Sequence, residues 1–191
     1  MPSPYERALD LDGLDPHLRR YFGEIPAGSV GVGRGVFDVV GTPKVWLWPM
    51  LWLLGRQGVV FAAWARDVPF TVVNRPDGGA LHGTRIFHFA GRDRSMIDII
   101  SASPGLVDEL GTRRRYRATL RGEVVDAGLR LSSTSLSYGR IPLRGTVEVV
   151  ERWLDGMQHV EVVISAPIIG RVYEYSGYFT YEITEDHVLT P

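Results

Sequence analysis

Residues 145–166 read GTVEVVERWLDGMQHVEVVISA. Val147, Val149, Glu151 and Trp153 alternate with Glu148, Val150 and Arg152, which is the period of a strand that buries one face. Asp155-Gly156 follows, two residues that accept the left-handed backbone of a type I′ turn, and a second apolar run begins at Gln158. The stretch is therefore a β-hairpin. Working outward, residues 68–74 and 80–90 are joined by Arg75-Pro-Asp-Gly-Gly79, residues 115–125 and 129–138 by Asp126-Ala-Gly128, and residues 95–101 and 171–184 complete the set. Ahead of them, residues 28–40 alternate as an opening strand.

Helical periodicity is confined to the start of the chain. Leu9, Leu14, Leu18, Tyr21 and Phe22 recur at helix spacing, and Asp15-Pro16 reads as the N-terminal turn of a second short helix. Gly41-Thr42-Pro43 ends the opening strand and introduces VWLWPMLWLL at 45–54, ten apolar residues where a membrane span needs about 20. Pro49 within it either starts the helical part or kinks it. Eight or nine mostly antiparallel strands in sequence order predict a mainly β (α+β) fold. The expected form is a curved antiparallel meander closing into a full or partial barrel, with N-terminal helices and a Trp-rich helix capping one end. Residues 1–191 form one domain, and no repeat or linker divides them.

The composition excludes several classes. There is no cysteine, hence no thiol nucleophile, thiolate zinc site or disulfide framework. A formal net charge of −1 gives no global attraction to nucleic acid or to an anionic membrane. The opening residues lack a basic region followed by an apolar one, which points to a cytoplasmic protein without a transmembrane segment. Gly31-Val-Gly-Arg-Gly35 lies inside a strand instead of between a strand and a helix, so it is not a dinucleotide loop. His82 and His88 share a strand face but lie about 20 Å apart, too far for one metal. Arg113 to Arg117 reads as a solvated edge strand guarded by charge. The hydroxyls of residues 132–135 have no neighbouring base. Neither a metal nor a cofactor is expected.

Four charges fall where alternation otherwise places apolar residues. Arg34 and Asp38 share a face with Val30, Val32, Val36 and Val40, Arg85 with Leu81, Phe87 and Phe89, and Glu151 with Val147 and Val149. An unpaired buried ion costs several kcal/mol, at least ~3, so each needs a partner or a ligand. Arg34 and Asp38 stand about 13 Å apart along a regular strand and cannot satisfy one another. The four mark either a cross-strand ion network or the polar end of a pocket. Phe87, Phe89, Tyr173, Tyr175 and Phe179 would supply its aromatic wall. Trp46, Trp48 and Trp52 either plug one end of the barrel or form a lid over an apolar ligand.

The segments Gly33-Arg-Gly-Val-Phe37, Asp67-Val-Pro-Phe-Thr71, Thr84-Arg-Ile-Phe87, Gly139-Arg-Ile-Pro-Leu143, Val149-Val-Glu-Arg-Trp153 and Tyr173-Glu-Tyr-Ser-Gly177 occur in this order. Together they resemble a bacterial domain of unknown function, family 4166, from the Tyr5 helix to Phe179. The resemblance implies a domain that occurs alone or C-terminal to short-chain-dehydrogenase-like or saccharopine-dehydrogenase-like proteins. Any redox chemistry would then belong to a separate oxidoreductase partner. Family members carry a tryptophan where this chain has Gly83, and basic residues where it has the serine-rich stretch ending at Ser137. No catalytic residue is implied by the likeness.

The expected function is binding of a hydrophobic small molecule in the barrel, with cofactor-independent acid/base chemistry of isomerase or cyclase type. Asp38 or Glu151 would move the proton, and Arg34 or Arg85 would stabilise developing negative charge. The alternatives are a non-catalytic carrier of a lipid-like ligand, acting as an accessory domain, and a structural or interaction module whose inward charges are all paired; a homo-oligomer is compatible with each.

Overall fold

The computed structural model describes residues 1–186. Two short helices open the chain, α1 (Pro4–Ala8) and α2 (Pro16–Phe22). Both begin on proline behind a capping residue: Ser3 forms a reciprocal capping box with Glu6, and Asp15 accepts from the His17 amide. The strand β1 (Ser29–Gly41) follows, then α3 (Trp48–Gly55), with Pro49 in its first turn, and the two-residue β2 (Trp64–Ala65). Pro49 thus starts the helix and does not kink it.

Ten strands follow: β3 (Val68–Asp77), β4 (Ala80–Phe89), β5 (Arg92–Ala102), β6 (Leu106–Leu110), β7 (Tyr116–Val125), β8 (Gly128–Tyr138), β9 (Ile141–Leu143), β10 (Thr146–Leu154), β11 (Met157–Ala166) and β12 (Gly170–Glu185). All pair antiparallel. The path runs β10-β11-β12-β1-β3-β4-β5-β6-β7-β8, and β8 returns to β10 to close a ten-stranded barrel. β2 and β9 lie outside the ring. The expected hairpins stand, and the turn at Asp155-Gly156 has both residues at positive φ, 52° and 80°, as a type I′ turn requires.

Closure changes two expectations. Residues 113–117 do not make an edge strand, because β7 is paired on both sides; Arg113, Arg114 and Arg115 occupy a loop, and Arg117 pairs with Glu109 across the outer face at 2.6 Å. The short strand β6, hidden behind the Ser103-Pro104-Gly105 turn, is an additional wall of the barrel.

The opening strand faces the opposite way from the expectation. Its inner face consists of Gly31, Gly33, Gly35 and Phe37, while Val30, Val32, Arg34, Val36 and Asp38 lie on the outer one. The bare glycines admit the large side chains of β12: a Cβ on Gly33 would stand 2.9 Å from the Phe179 ring, and one on Gly31 would overlap the Tyr181 hydroxyl. A bulge after Phe37, where Asp38 is the unpaired residue, returns Val40 to the interior. Alternation misled because valine is buried on the outer face as well, Val30 and Val32 being 1% and 2% exposed.

Gly177 of β12 lies close against the β1 backbone, since a Cβ there would lie 2.4 Å from both Phe37 Cα and Val36 O. Only a backbone shift can relieve that contact. Gly177→Ala is therefore expected to lower the unfolding free energy by about 1–3 kcal/mol, whereas Val36→Thr on the outer face changes it by less than about 0.5 kcal/mol. Urea denaturation of both variants checks this.

Candidate functional site

The plugs define the two ends of the barrel. α1 and α2 close one: Ser3 Oγ donates to Phe22 O, Arg7 to Gly79 O, and the Asp15 amide to Ala127 O at 2.8 Å. Tyr5, Tyr21 and Phe22 fill it with edge-to-face rings. At the other end α3 turns Leu47 and Leu51 inward, above an aromatic layer of Phe37, Phe61, Phe70 and Phe87. Between the plugs lies a cavity of about 250 Å³. Most of its wall is aliphatic or aromatic, including Leu131, Val149, Val160, Val162, Tyr173 and Phe179.

Two polar groups face each other across it. On one wall, Arg85 of β4 binds Asp98 of β5, and Asp108 of β6 stands diagonally beyond. These are next-pair neighbours on adjacent strands, the diagonal along which long side chains meet. A Cβ on Gly83 would lie 2.6 Å from the Asp98 carboxylate, so the glycine makes room for the acid. Burial alone would lower the pKa of Arg85, but Asp98, Tyr175, Tyr21 and Asp108 together outweigh it and raise the guanidinium further above its ordinary value. Burial, reinforced by Asp98, raises the Asp108 carboxyl well above the carboxylate range, and its Oδ1 is buried with no hydrogen-bond partner.

On the opposite wall, half-way around the ring, Glu151 of β10 accepts from the buried Nε2 of Gln158 on β11. Burial pushes its carboxyl up to about 7, against the opposing pulls of the Gln158 hydrogen bond and the Arg85 charge. Tyr175 projects from β12 with its hydroxyl pushed up to about 12 by burial, and burial likewise raises Tyr5 and Tyr21. All three phenols are neutral donors near pH 7. The assembly is a largely apolar pocket that holds Glu151, raised to about 7, the Arg85 cation paired with Asp98, the raised Asp108 carboxyl and several buried phenols, Tyr173 among them.

The barrel wall is incomplete beside this pocket. β8 pairs with β10 only through residues 129–132 and 148–151. Beyond them β8 takes β9 as its partner, and the Val147 amide donates to the Ser133 hydroxyl at 2.8 Å instead of continuing a ladder. Near that divergence the cavity is lined by Leu136, Ser137, Leu143 and Val147, and it reaches Met50 on α3. Met50 and Leu143 are exposed, which makes this the mouth of the pocket.

Of the four charges singled out from the sequence, the structure brings Arg85 and Glu151 together. Arg34 and Asp38 stand on the outer face; Arg34 is exposed and pairs with Glu182 at 3.3 Å. Tyr173, Tyr175 and Phe179 line the cavity as expected, whereas Phe87 and Phe89 pack against Phe61 in the layer behind it. Trp46, Trp48 and Trp52 are turned to solvent and neither plug nor line the pocket. The leucines of the same helix do the plugging.

Asp98, Asp108, Gln158, Tyr5 and Tyr21 were missed. The first two carried the signal already used for Arg85: Met96, Asp98, Ile100 and Leu106, Asp108, Leu110 alternate in the same manner. A family model for a domain of unknown function, DUF4166, matches residues 14–179. The chain belongs to that family. The match takes in every polar residue of the DUF4166 pocket except Tyr5. No curated protein and no solved structure matches the chain. Among the described residues, no helix is long and apolar enough to cross a membrane.

Two stability experiments follow from the pocket charges. Because Glu151 holds its proton up to about pH 7 in the fold and only to about 4.5 when unfolded, its contribution is fully present below 4.5 and is lost as pH rises through 7. The loss amounts to about 3 kcal/mol. Glu151→Gln removes that dependence, so the difference between wild type and variant in urea should change by about this amount between pH 4.5 and pH 8, independently of Asp108. In the second, Arg85→Met leaves Asp98 buried and unpaired and should cost about 3–5 kcal/mol. The double variant Arg85→Met with Asp98→Leu should recover most of that loss, a coupling measured by a double-mutant cycle.

Proposed function

We propose that this domain binds a hydrophobic small molecule inside the barrel and acts on it by cofactor-independent acid/base chemistry of isomerase or cyclase type. The supporting observation is Glu151: a carboxyl pushed up to about 7, with one protein partner, facing an apolar cavity that opens at the β8–β10 seam. A proton donor and acceptor works best when its pKa lies near the working pH. An apolar cavity of about 150 Å³ admits benzene. One of about 250 Å³ accommodates a two-ring or short-chain molecule.

In such a reaction the ionised Glu151 removes a proton from a carbon next to a carbonyl, and the same proton returns to a second carbon after the double bond has moved. No electrons are gained or lost. The developing oxyanion accepts hydrogen bonds from the neutral hydroxyls of Tyr21 and Tyr175, while the Arg85 cation lowers its energy across the dry cavity. Arg34 and Asp38 take no part in this reading.

A second reading has its own support, because each charged group in the pocket except Asp108 already has a protein partner: Arg85 has Asp98 and Glu151 has Gln158. A carrier or accessory domain presenting a lipid-like ligand to a separate oxidoreductase needs no free acid.

The uncharged two-ring fluorophore 1-naphthylamine tests the shared premise. Wild type should bind it saturably, one per chain, with blue-shifted emission, and Ala118→Phe, which fills the cavity, should abolish binding. Absence of saturable binding by a folded wild type would sink both readings. Candidate substrates come from solvent extracts of the purified protein. Conversion with a pH-profile limb near 7 that is lost in Glu151→Gln supports the enzyme, and retention without conversion in both proteins supports the carrier.

A further inference from the structure

Residues 45–54 are apolar without exception, yet only one face of this segment is used by the fold. Leu47, Leu51 and Leu54 pack inward, while Trp46, Met50, Trp52 and Leu53 are 46–62% exposed. A helix that is apolar all round is ordinarily covered on all sides, and contiguous exposed patches of this kind mark interaction surfaces.

The patch extends beyond the helix. The Thr112 amide donates to Gln57 O at 2.8 Å, tying the 111–115 loop to the end of α3, and the Gly139 amide donates to Arg115 O at 2.7 Å, tying on the 139–145 loop. Lys44 Nζ donates to Ile169 O at 2.7 Å, which secures the 167–169 loop to the start of the helix. These loops add Ile141, Leu143 and the wholly exposed Ile168 to the same rim. Met50 and Leu143 belong both to the rim and to the cavity wall, so the apolar surface is continuous with the pocket.

Charge separates this end from the other. The connections here, residues 42–67, 90–91, 111–115, 139–145 and 167–169, hold eight lysines and arginines, three of them consecutive at 113–115, against a single acid, Asp67. At the opposite end, residues 1–28, 78–79, 103–105, 126–127 and 155–156 hold seven acids against three arginines. A chain of net charge −1 is thus strongly polarised along the barrel axis.

From this combination we infer that the α3 end docks on an anionic phospholipid surface, with the pocket mouth against the lipid. Tryptophan is the side chain that favours the water–lipid boundary, and arginines around it meet the lipid phosphates. Arg56 already lies over the Trp52 ring, 5.0 Å from its centroid, the pairing of cation and indole suited to a headgroup layer. A second copy of the chain fits this surface poorly: a two-fold contact would set one cationic rim against another. The docking stands apart from the chemistry of the pocket, but it would let an apolar ligand pass from bilayer to cavity without crossing water.

Flotation with phosphatidylcholine vesicles, with and without phosphatidylglycerol, tests this. Four of the five tryptophans lie at this end, so intrinsic emission reports directly on it. The protein should float with the anionic vesicles, shift its emission to the blue, and dissociate in about 1 M salt, where the screening length falls to about 3 Å. Arg113→Gln, Arg114→Gln and Arg115→Gln together should weaken partitioning about tenfold or more. Trp46→Gln with Trp52→Gln should abolish the blue shift while leaving the denaturation midpoint unchanged. Three outcomes would overturn the assignment: no association with anionic vesicles at low salt, self-association broken by the tryptophan variant without vesicle binding, or capture of single-stranded RNA in preference to vesicles. Uptake of 1-naphthylamine in vesicle-free buffer reads the pocket alone, so failure of docking and failure of ligand binding are distinguishable.

Discussion

Ten strands in a ring enclose more space than their side chains fill, and the rest of this structure answers that constraint. An eight-stranded barrel is about the widest whose interior side chains close it completely. Here the surplus is reduced from both ends, by α1 and α2 with their tyrosines and by α3 with its leucines, and from within by rings stacked edge to face from Phe37 to Tyr175. The glycines of β1 belong to the same solution, because a strand without inner side chains lets the large residues of β12 lie across it. What remains is the cavity of about 250 Å³ in the middle of the barrel. Closure rests on four residues of β8 paired with four of β10, the shortest contact in the ring.

Charges inside such a lumen are costly, and their arrangement decides which can act. Arg85, Asp98 and Asp108 form a chain across three neighbouring strands in which each charge conditions the next. Burial is the first cause of the raised Asp108 carboxyl and Asp98 beside it the second, while Arg85 pulls the other way. Glu151 is on the far wall, away from any other acid, with burial as the main influence on its proton. That isolation distinguishes it from Asp108. Both carboxyls are raised and both line the pocket, but Asp108 stands beside the Arg85–Asp98 pair, whereas Glu151, pushed up to about 7, has Gln158 as its partner on the far wall.

Turn chemistry made the hairpins legible: Gly78-Gly79, Asp126-Ala127 and Asp155-Gly156 all sit in the left-handed region, and the strands on either side followed. The inward position of Glu151 and Arg85 was legible from alternation because each strand has one apolar and one polar face. β1 defeated the same rule, since its inner face carries no side chains before Phe37 and its outer face is rich in valine, so the valine periodicity pointed the wrong way. Asp98 and Asp108 carried the alternation signal as well, but not the signal of their association with Arg85. Their partner strands had to be known before a diagonal of charges could be seen, and β6 has five residues. The direction of Trp46, Trp48 and Trp52 could not be read at all, because a segment apolar on every side has no periodicity to orient it.

The two ends of the barrel are also mechanically unlike. At the N-terminal end three of the connections are two-residue turns, and the helices that close it are fastened to them through Gly79 and Ala127. Opening there would break capped helix ends and expose Tyr5, Tyr21 and Phe22 together. At the α3 end the ring connections are longest, residues 42–67 and 139–145, and the ladder between β8 and β10 has already ended at Val147. A ligand entering between Met50 and Leu143 displaces loop and side chain but leaves every barrel pairing intact. Under the proposed function, exchange with the pocket would therefore be confined to the face where tryptophan, isoleucine and arginine gather, and the chemistry of that face would select what reaches Glu151.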